Sequence, residues 1–433
     1  MKLPGKSATH KQTDMRRFIG TLIVLALPFL VSCAVSASTA SNRVGAAANL
    51  KSSKEGASAA ARSHPAPTGA NNILPVSVQT PNYDINRALV SVTVCVPGTS
   101  QCETVDNVML DTGSVGLRLQ RSALKHPERF AAMAGPDAHA LAECYRFVSS
   151  AAWGIVTRVD LRLAAIQASN IPIQIVDEAN ASYGDHPRPD SCLKGGKPTS
   201  NGTLGIAAVS LNDCKDPCFI SLKSPRYYEC TAGTCAPIAK AVAANFRIVH
   251  PIAALASDNN GYVLDVQPVP ESGAKAARGT LTLGIGTRRN NALDVTNVVD
   301  LAPNGTFTTV WNGQSYPASY FDTGTEEYYF ATAPVGAREC GSHWCATPEA
   351  EFSATLKGRT TDATTKFRVG ESATLVRSGK GVFRNVAIVA HKDSRAFVWG
   401  MPFFIGRKVF VKLTEGANGS GNAFYAFSDA VFP

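Results

Sequence analysis

The sequence predicts a mainly β fold built from two similar halves. Many short apolar runs rich in Val, Ile, Thr and Phe lie between turn residues, which include 35 glycines and 25 prolines among 433 residues. Such runs are typical of β-strands, and long amphipathic helices are scarce. The same pattern also occurs twice, at residues 108–114 and 319–325. Because a repeated pattern indicates internal duplication, we expect two related β lobes.

The first 33 residues resemble an export signal. Basic side chains precede an apolar stretch at residues 18–31, as in secretory signal peptides. The stretch ends in Leu-Val-Ser-Cys at residues 30–33, which resembles the lipobox of bacterial lipoproteins. We therefore expect residues 1–33 to be a lipoprotein signal peptide, with Cys33 lipidated and the protein anchored in the bacterial cell envelope, facing the periplasm or the surface. A plain signal peptide or a single spanning helix is the alternative, although the stretch is short for a span.

The remaining chain divides into a tether and a folded part. Residues 34–71 are dominated by Ala, Ser and Gly, with too few large apolar side chains to form a core. Such a composition predicts a flexible tether. We expect an N-terminal lobe over residues 72–260 and a C-terminal lobe over residues 261–433.

The charge of the chain indicates no nucleic-acid partner. The first 33 residues hold five of the 42 basic side chains and one of the 33 acidic ones, which leaves 37 against 32 and a net charge of +5. That charge is small for a chain of this length, and there is no dense basic run with interleaved aromatic residues. We expect a monomer whose partners are a polypeptide substrate or ligand and, through the anchor, a membrane.

Eleven cysteines favour an oxidising compartment, where disulfides persist. If Cys33 carries lipid, ten remain, and eight of them form four pairs that are close in sequence. Zinc is the alternative, but the spacings are not those of paired Cys-x-x-Cys sites and no histidine cluster accompanies them. We expect disulfides, no metal and no cofactor, although sequence alone leaves the connectivity open. The candidate pairs are Cys95–Cys102, Cys144–Cys192, Cys214–Cys218, Cys230–Cys235 and Cys340–Cys345.

Each copy of the repeated pattern is an apolar strand that leads into Asp-Thr-Gly and a hydroxyl residue. The copies place Asp111 and Asp322 at equivalent positions. Two such triplets would occur by chance in well under about one chain in a hundred of this length. A single triplet is more simply interpreted as a turn, because Asp, Thr and Gly are common turn formers.

Together with its surroundings, the repeat resembles the pepsin-like aspartic proteases over nearly the whole folded part. Residues 92–114 resemble the hairpin that carries the first catalytic Asp of that family. Residues 201–207 and 397–403 resemble the hydrophobic-hydrophobic-Gly elements that pass beneath the two Asp loops. The resemblance implies a bilobed acid protease fold with β lobes related by a pseudo-twofold axis, in a branch of bacterial lipoproteins with two Asp-Thr-Gly motifs.

The resemblance also implies a chemistry for the two aspartates. Asp111 and Asp322 would form the catalytic dyad. Two carboxylates held close together cannot both ionise at low cost, so they share a proton and can activate one water molecule. Their neighbours would brace the loops, allow close backbone approach and donate hydrogen bonds to the carboxylates. These supporting residues are Thr112, Gly113, Ser114, Thr323, Gly324 and Thr325.

Residues 145–154 occupy the position of the flap, the hairpin that closes over the substrate in this family. Tyr145, Phe147 and Trp153 are the predicted flap or cleft residues. The family usually has a tyrosine followed closely by glycines, whereas here Phe147 occupies the expected tyrosine position and Tyr145 lies two residues earlier on the same strand face. This departure bears on the efficiency of catalysis more than on the fold.

Two functions are compatible with the sequence. The first is an aspartic endopeptidase of the cell envelope, and the second is a catalytically weak or inactive pepsin-like module that binds a peptide or glycan in the cleft between the lobes. Other catalytic motifs, such as His-Glu-x-x-His, Gly-x-Ser-x-Gly and the Walker loop, are absent from the sequence.

Overall fold

The structure is a computed structural model that describes residues 71–80, 84–148, 150–177, 186–192, 199–214, 225–231, 233–414 and 423–433. These residues belong to one compact unit, Pro65–Pro433. The predicted signal peptide with Cys33, the predicted tether up to residue 70, and Cys218 lie outside the described residues.

The first half of the described chain consists mainly of β-strands, as the sequence predicts, and several of them are buried along most of their length. The strands before residue 261 are β1 (Ile73–Gln79), β2 (Arg87–Cys95), β3 (Cys102–Asp111), β4 (Val115–Gln120), β5 (Ala140–Arg146), β6 (Ala151–Leu163), β7 (Ile166–Asp177), β8 (Gly202–Ile206), β9 (Tyr227–Thr231) and β10 (Thr234–Pro237).

The second half adds more strands and two single-turn helices. The strands are β11 (Gly261–Val266), β12 (Ala277–Leu283), β13 (Asn297–Asp300), β14 (Phe307–Trp311), β15 (Gln314–Phe321), β16 (Tyr328–Phe330), β17 (Arg338–Cys340), β18 (His343–Lys357), β19 (Asp362–Glu371), β20 (Ala387–Val389), β21 (Val398–Trp399), β22 (Lys408–Lys412) and β23 (Phe424–Phe427). The helices are α1 (Ser372–Leu375) and α2 (Met401–Phe404).

One long sheet runs through both halves of the molecule. Its strand order is β10-β9-β5-β6-β7-β4-β8-β3-β2-β1-β12-β11-β22-β23-β13. The halves join where β1 pairs antiparallel with β12, from Ile73 opposite Thr282 to Val78 opposite Ala277. The boundary predicted at residue 260 falls between β10 and β11 in the chain. Strands from both sides of this boundary belong to the same sheet.

A second sheet belongs to the C-terminal half alone. Its order is β14-β15-β21-β16-β20-β18-β17, with β19 paired to β18 and a further pairing between β14 and β18. Its buried face is aromatic. Trp311, Phe330, Phe367, Phe397 and Trp399 contact one another with ring centres 4.4 to 6.1 Å apart.

The two halves repeat one local topology around their Asp-Thr-Gly loops. In the first half β8 pairs parallel with β3 and antiparallel with β4. In the second half β21 pairs parallel with β15 and antiparallel with β16. Each Asp loop therefore connects two strands. The segment beneath the loop pairs with the strand before it and with the strand after it. The predicted mainly β, bilobed pepsin-like fold is confirmed.

Four of the candidate disulfides are present in the described residues. They are Cys95–Cys102, Cys144–Cys192, Cys230–Cys235 and Cys340–Cys345. Cys214 is also in a disulfide, whose partner lies outside the described residues. Disulfides are consistent with an extracellular or envelope location. In the part of the chain that the structure describes, no helix is long and apolar enough to span a membrane.

Candidate active site

The two Asp-Thr-Gly loops meet face to face. Asp111 ends β3, and Asp322 directly follows β15. The Asp111 side chain is buried, whereas Asp322 is partly exposed. A Cβ placed on Gly324 would lie 2.9 Å from Asp111 Oδ1 and 3.0 Å from Asp322 Oδ1, so the two carboxyl groups lie close together. The structure thus brings together the two aspartates that the sequence singled out.

The threonines of the two loops brace each other across the interface. The Thr112 amide donates a hydrogen bond to Thr323 Oγ1 at 3.1 Å, and the Thr323 amide donates to Thr112 Oγ1 at 3.0 Å. Each hydroxyl in turn donates to a carbonyl of the opposite strand, from Thr112 to Phe321 at 3.1 Å and from Thr323 to Leu110 at 2.7 Å. All four groups are buried. This reciprocal set fixes the distance between the loops, because shifting one loop would leave buried donors without acceptors.

Glycine follows each threonine because the opposite carboxylate occupies the space of a side chain. A Cβ on Gly113 would lie 2.7 Å from Asp322 Oδ1, and one on Gly324 would lie 2.9 Å from Asp111 Oδ1. Both distances are shorter than van der Waals contact allows. An alanine at either position would push the two carboxyl groups apart.

Each carboxylate receives the same two local hydrogen bonds. The Gly113 amide and the Ser114 hydroxyl donate to Asp111 at 2.8 and 2.5 Å. The Gly324 amide and the Thr325 hydroxyl donate to Asp322 at 2.8 and 2.7 Å. These bonds orient the carboxyl planes, and those from Thr325 and Gly324 favour the ionised form of Asp322.

Burial and the neighbouring carboxylate together raise the pKa of Asp322 to about 7. Desolvation is the larger cause and the negative charge of Asp111 is the next, while the bonds from Thr325 and Gly324 oppose both. The pair therefore retains one proton up to about neutral pH. One ionised and one protonated carboxyl group side by side can act as base and acid on a single water molecule.

The segments beneath the loops attach to them directly. The Ala207 amide, just after β8, donates to the Ser114 carbonyl at 2.8 Å. In the second half, the Met401 amide donates to the Thr325 carbonyl at 2.8 Å. The glycine of the first segment is required by space, because a Cβ on Gly205 would lie 2.7 Å from Ser114 Oγ.

Arg87 is a site neighbour that sequence analysis missed. Its Nη1 donates to the Gly324 carbonyl of the second loop and to Met109 Sδ, both at 3.1 Å, and its Nη2 pairs with Glu326 at 2.5 Å and with Asp84 at 3.1 Å. It ties the start of β2 to the loop of the other half. No local pattern around Arg87 distinguishes it from a solvated surface arginine.

The predicted flap is the hairpin of β5 and β6. Arg146 pairs with Ala151, and the Phe147 amide closes the turn by donating to the Ser150 carbonyl at 2.8 Å. Val148 at the tip is fully exposed. We refer to residues 140–163 as the flap hairpin.

Tyr145 and Phe147 lie on one face of the flap hairpin. Their rings are in edge contact, with centres 4.8 Å apart. Tyr145 is buried and Phe147 is partly exposed. Burial raises the pKa of Tyr145, and the Asp111 carboxylate adds to this rise. Tyr145 is therefore the buried aromatic residue on this face of the flap hairpin, whereas the family resemblance assigns the usual tyrosine position to Phe147.

Trp153 does not line the cleft. It lies opposite Cys144 in the hairpin, and its ring packs on Tyr228 with centres 5.1 Å apart in a buried cluster around the Cys144–Cys192 disulfide. Its indole N–H donates to the His186 carbonyl at 3.1 Å. This corrects the expectation from the sequence, and the reason is strand alternation, which sends Trp153 and Tyr145 to opposite faces of the hairpin.

Sequence analysis also missed four charged side chains behind the flap hairpin. They form a buried charge cluster that consists of Arg118, Glu143, Asp213 and Arg226. Desolvation raises the pKa of Glu143 to about 8, although Arg118 opposes the rise. The four residues come from separate segments, so no motif of fixed spacing marks them.

One group in the described residues has the spacing of metal ligands. Cys340, Cys345 and Glu371 have ligand atoms within 4.8 Å of one another. The two cysteines are bonded to each other in a disulfide, so their sulfur atoms are not available as thiolate ligands.

Comparison with known proteins gave one family and matches to solved structures. A search of curated proteins found no match. One of the solved structures that match is the aspartic proteinase from Irpex lacteus, with 13% sequence identity, coverage of 83% of this chain and 97% of that chain, and a TM-score of 0.47. The family described as "Protein of unknown function (DUF3443)" matches residues 68–427. Since that match spans most of the sequence, the chain belongs to this family.

Proposed function

We propose that this protein is an aspartic endopeptidase of the bacterial cell envelope. One observation carries the proposal, namely that two equivalent Asp-Thr-Gly loops hold the carboxyl groups of Asp111 and Asp322 close together. The raised pKa of Asp322 adds the protonation state that such chemistry requires.

In the proposed mechanism the ionised carboxylate of the pair takes a proton from a bound water. The water attacks the scissile carbonyl carbon while the protonated carboxyl group donates to the carbonyl oxygen. Ser114 and Thr325 keep the carboxyl planes fixed during this exchange. Proton transfer by positioned groups typically contributes about 10²- to 10⁴-fold to a rate.

The proposal is tested with residues 34–433 and a denatured protein substrate. We expect cleavage at acid to near-neutral pH that pepstatin inhibits and that both Asp111→Asn and Asp322→Asn abolish. Asp393→Asn is the matched control, because that aspartate is 74% exposed and pairs only with His391 at the surface. If the parent protein and the control cleave nothing between pH 3 and 8, the endopeptidase proposal is wrong.

A second candidate is a pepsin-like module that binds a peptide or glycan in the cleft without cleaving it. What favours it is the flap tip, where Phe147 occupies the usual tyrosine position and residues 148–153, which follow it, include no glycine. Saturable binding of a peptide or an oligosaccharide, with no cleavage at any pH tested, would support this candidate. Binding and cleavage are then measured for Asp111→Asn in the same way. A binding module should bind its ligand as the parent protein does, since it does not need the proton shared by the dyad, whereas an endopeptidase should lose its cleavage.

We also propose that the protein is attached to the envelope through lipid on Cys33. The lipobox-like sequence at residues 30–33 supports this. Cys33→Ser should leave the precursor unprocessed or release the protein from membranes, as measured by fractionation and by mass. Unchanged processing and membrane association would contradict lipidation at Cys33.

A further inference from the structure

The buried charge cluster lies between the first Asp loop and the flap hairpin. The side chains of Arg118, Glu143 and Asp213 are at most 2% exposed, and that of Arg226 is 15% exposed. Two guanidinium groups face two carboxyl groups. The distances from nitrogen to oxygen are 3.0 Å for Arg118 to Glu143, 3.8 Å for Arg118 to Asp213, 3.6 Å for Arg226 to Glu143 and 3.3 Å for Arg226 to Asp213.

Arg118 connects this cluster to the first Asp loop. Its Nη1 donates to the Val115 carbonyl at 2.7 Å. Val115 follows Ser114, whose hydroxyl donates to Asp111 at 2.5 Å. A movement of the Arg118 guanidinium group therefore acts on backbone that is one residue away from a hydrogen bond to the dyad.

Arg118 also connects the cluster to the flap hairpin. Its Nη2 donates to both carboxylate oxygens of Glu143 on β5, at 3.0 and 3.3 Å. Its guanidinium carbon lies 3.4 Å from the centre of the Tyr145 ring, and that of Arg226 lies 4.7 Å from it. A planar guanidinium group on an aromatic face fixes the ring by stacking and by cation–π attraction.

Further hydrogen bonds hold the backbone of the same strand. The Gln174 side chain on β7 donates to the Glu143 carbonyl at 2.8 Å and to the Ala152 carbonyl at 3.3 Å, so it contacts both strands of the hairpin. The Cys144 amide donates to the Arg226 carbonyl at 2.7 Å. The backbone of the hairpin is thus fixed by these bonds, and the orientation of the Tyr145 ring depends on the arginines.

Stability alone is a weak reason for such a cluster. Removing charges from water is costly, and apolar side chains of similar volume often stabilise a fold as well or better. Charged groups differ from apolar groups in that they fix an orientation. The carboxylates of Glu143 and Asp213 fix the plane of the Arg118 guanidinium group. Tyr145 then receives a defined orientation on the guanidinium group of Arg118.

We propose that Arg118, held by Glu143 and Asp213, is a positioning residue that sets the orientation of Tyr145 and thereby the closure of the flap hairpin on a bound polypeptide. The kinetic consequence rests on the proposed peptidase function. The position of the flap can be measured without catalysis.

The test is a double-mutant cycle of Arg118→Lys and Tyr145→Leu on residues 34–433. Lysine retains the charge that Glu143 and Asp213 need but lacks the planar face that stacks on the ring. We expect Arg118→Lys to speed hydrogen exchange of the flap amides at residues 140–157 about fivefold and to raise KM for a peptide substrate about tenfold. In the Tyr145→Leu background Arg118→Lys should change neither value further. A loss of folded protein would lower kcat and leave KM unchanged.

Arg158→Lys on β6 is the matched control. Arg158 belongs to the same hairpin and donates to the Asn170 and Asn245 carbonyls, at 2.8 and 2.7 Å, without stacking on a ring. Its replacement should leave KM and flap exchange as in the parent protein. If Arg118→Lys does not fold, Arg226→Lys replaces it in the cycle, with an expected effect of about threefold because its guanidinium group lies farther from the ring.

Two outcomes would overturn the inference. One is unchanged flap exchange and KM in a folded arginine variant, and the other is an equal effect of that variant with and without Tyr145. If the parent protein cleaves no peptide, the proposed function fails, but the exchange measurements still decide whether Arg118 positions the flap through Tyr145.

Discussion

The two Asp-Thr-Gly loops are alike at the carboxyl groups and differ in what lies behind them. At the carboxyl groups they share reciprocal threonine bonds, one amide and one hydroxyl donor each, and glycines without room for a Cβ. Behind Asp111 lie an aliphatic strand pair, Leu110 beside Leu204, and the buried charge cluster. Behind Asp322 lies an aromatic layer, in which Phe321 contacts Trp399 and Phe403.

This difference indicates which features the shared chemistry requires. The geometry that repeats is the part that sets the distance between the carboxyl groups. The supporting layer can be aliphatic and charged in one half and aromatic in the other, because close packing rather than a particular residue type holds a loop in place.

The largest expected effect comes from breaking the part that the loops share. If Asp111 and Asp322 act on one water, Asp111→Asn, Asp322→Asn and the double variant should each lose about 10³-fold or more in kcat/KM, to nearly the same residual rate. Initial rates on a peptide substrate measure this, with folding checked by circular dichroism. Losses that multiply in the double variant would show that the two aspartates act independently.

The pH dependence of stability should sharpen the comparison of the two aspartates. The pKa of Asp322 rises from the ordinary aspartate value of 3.8 to about 7 in the folded protein. The native state therefore binds this proton more tightly than the unfolded chain does. The stabilisation is complete below about pH 4 and is lost as the pH rises through about 7. Asp322→Asn has no such proton to lose.

We therefore expect Asp322→Asn to be more stable than the parent protein at pH 8, by on the order of a few kcal/mol, with a much smaller difference at pH 4. Urea denaturation at several pH values measures this effect. Parallel pH curves for the variant and the parent protein would contradict the raised pKa.

Exchanging the residues behind the two loops should be costly in both directions. Leu110 and Phe321 are equivalent, fully buried residues that directly precede the aspartates. Leu110→Phe adds volume to a filled space, and Phe321→Leu leaves a gap among aromatic rings, so each should cost about 1–3 kcal/mol of unfolding free energy. Denaturation midpoints test this. If both substitutions are neutral, the aliphatic layer behind Asp111 and the aromatic layer behind Asp322 are interchangeable, and their difference has no effect on stability.

The smallest effect is expected at the hydroxyl donors. Thr325→Ser keeps the donor to Asp322 and should change kcat/KM by less than about threefold, whereas Thr325→Val removes it and should cost about tenfold, the equivalent of one hydrogen bond to a charged group. Ser114→Ala should have a similar or larger effect, because its bond to Asp111 is shorter, at 2.5 Å. Equal rates for the Ser and Val variants at position 325 would exclude a role for the hydroxyl.

Much of the fold and the core of the site could be predicted because their signals are local and occur twice. A strand that leads into Asp-Thr-Gly carries its turn, its carboxylate and its supporting donors within a few residues. Three of the disulfides visible in the structure join cysteines only five to seven residues apart, so chain proximity alone favours those pairs. The orientation of Trp153 could not be predicted, because alternation defines two faces of a strand but not which one meets the cleft.

The sequence by itself thus determined the mainly β class, the duplicated Asp loops and the residues that bind to Asp111 and Asp322 within each loop. Only the tertiary structure decided which distant groups complete the site. Arg87 reaches the Gly324 carbonyl across 237 positions of sequence. Arg118 meets Glu143 and Tyr145 on β5 and Asp213 in a separate segment. A charged side chain in such a segment looks like any solvated one, because its burial and its partners exist only after the sheet has brought the strands together.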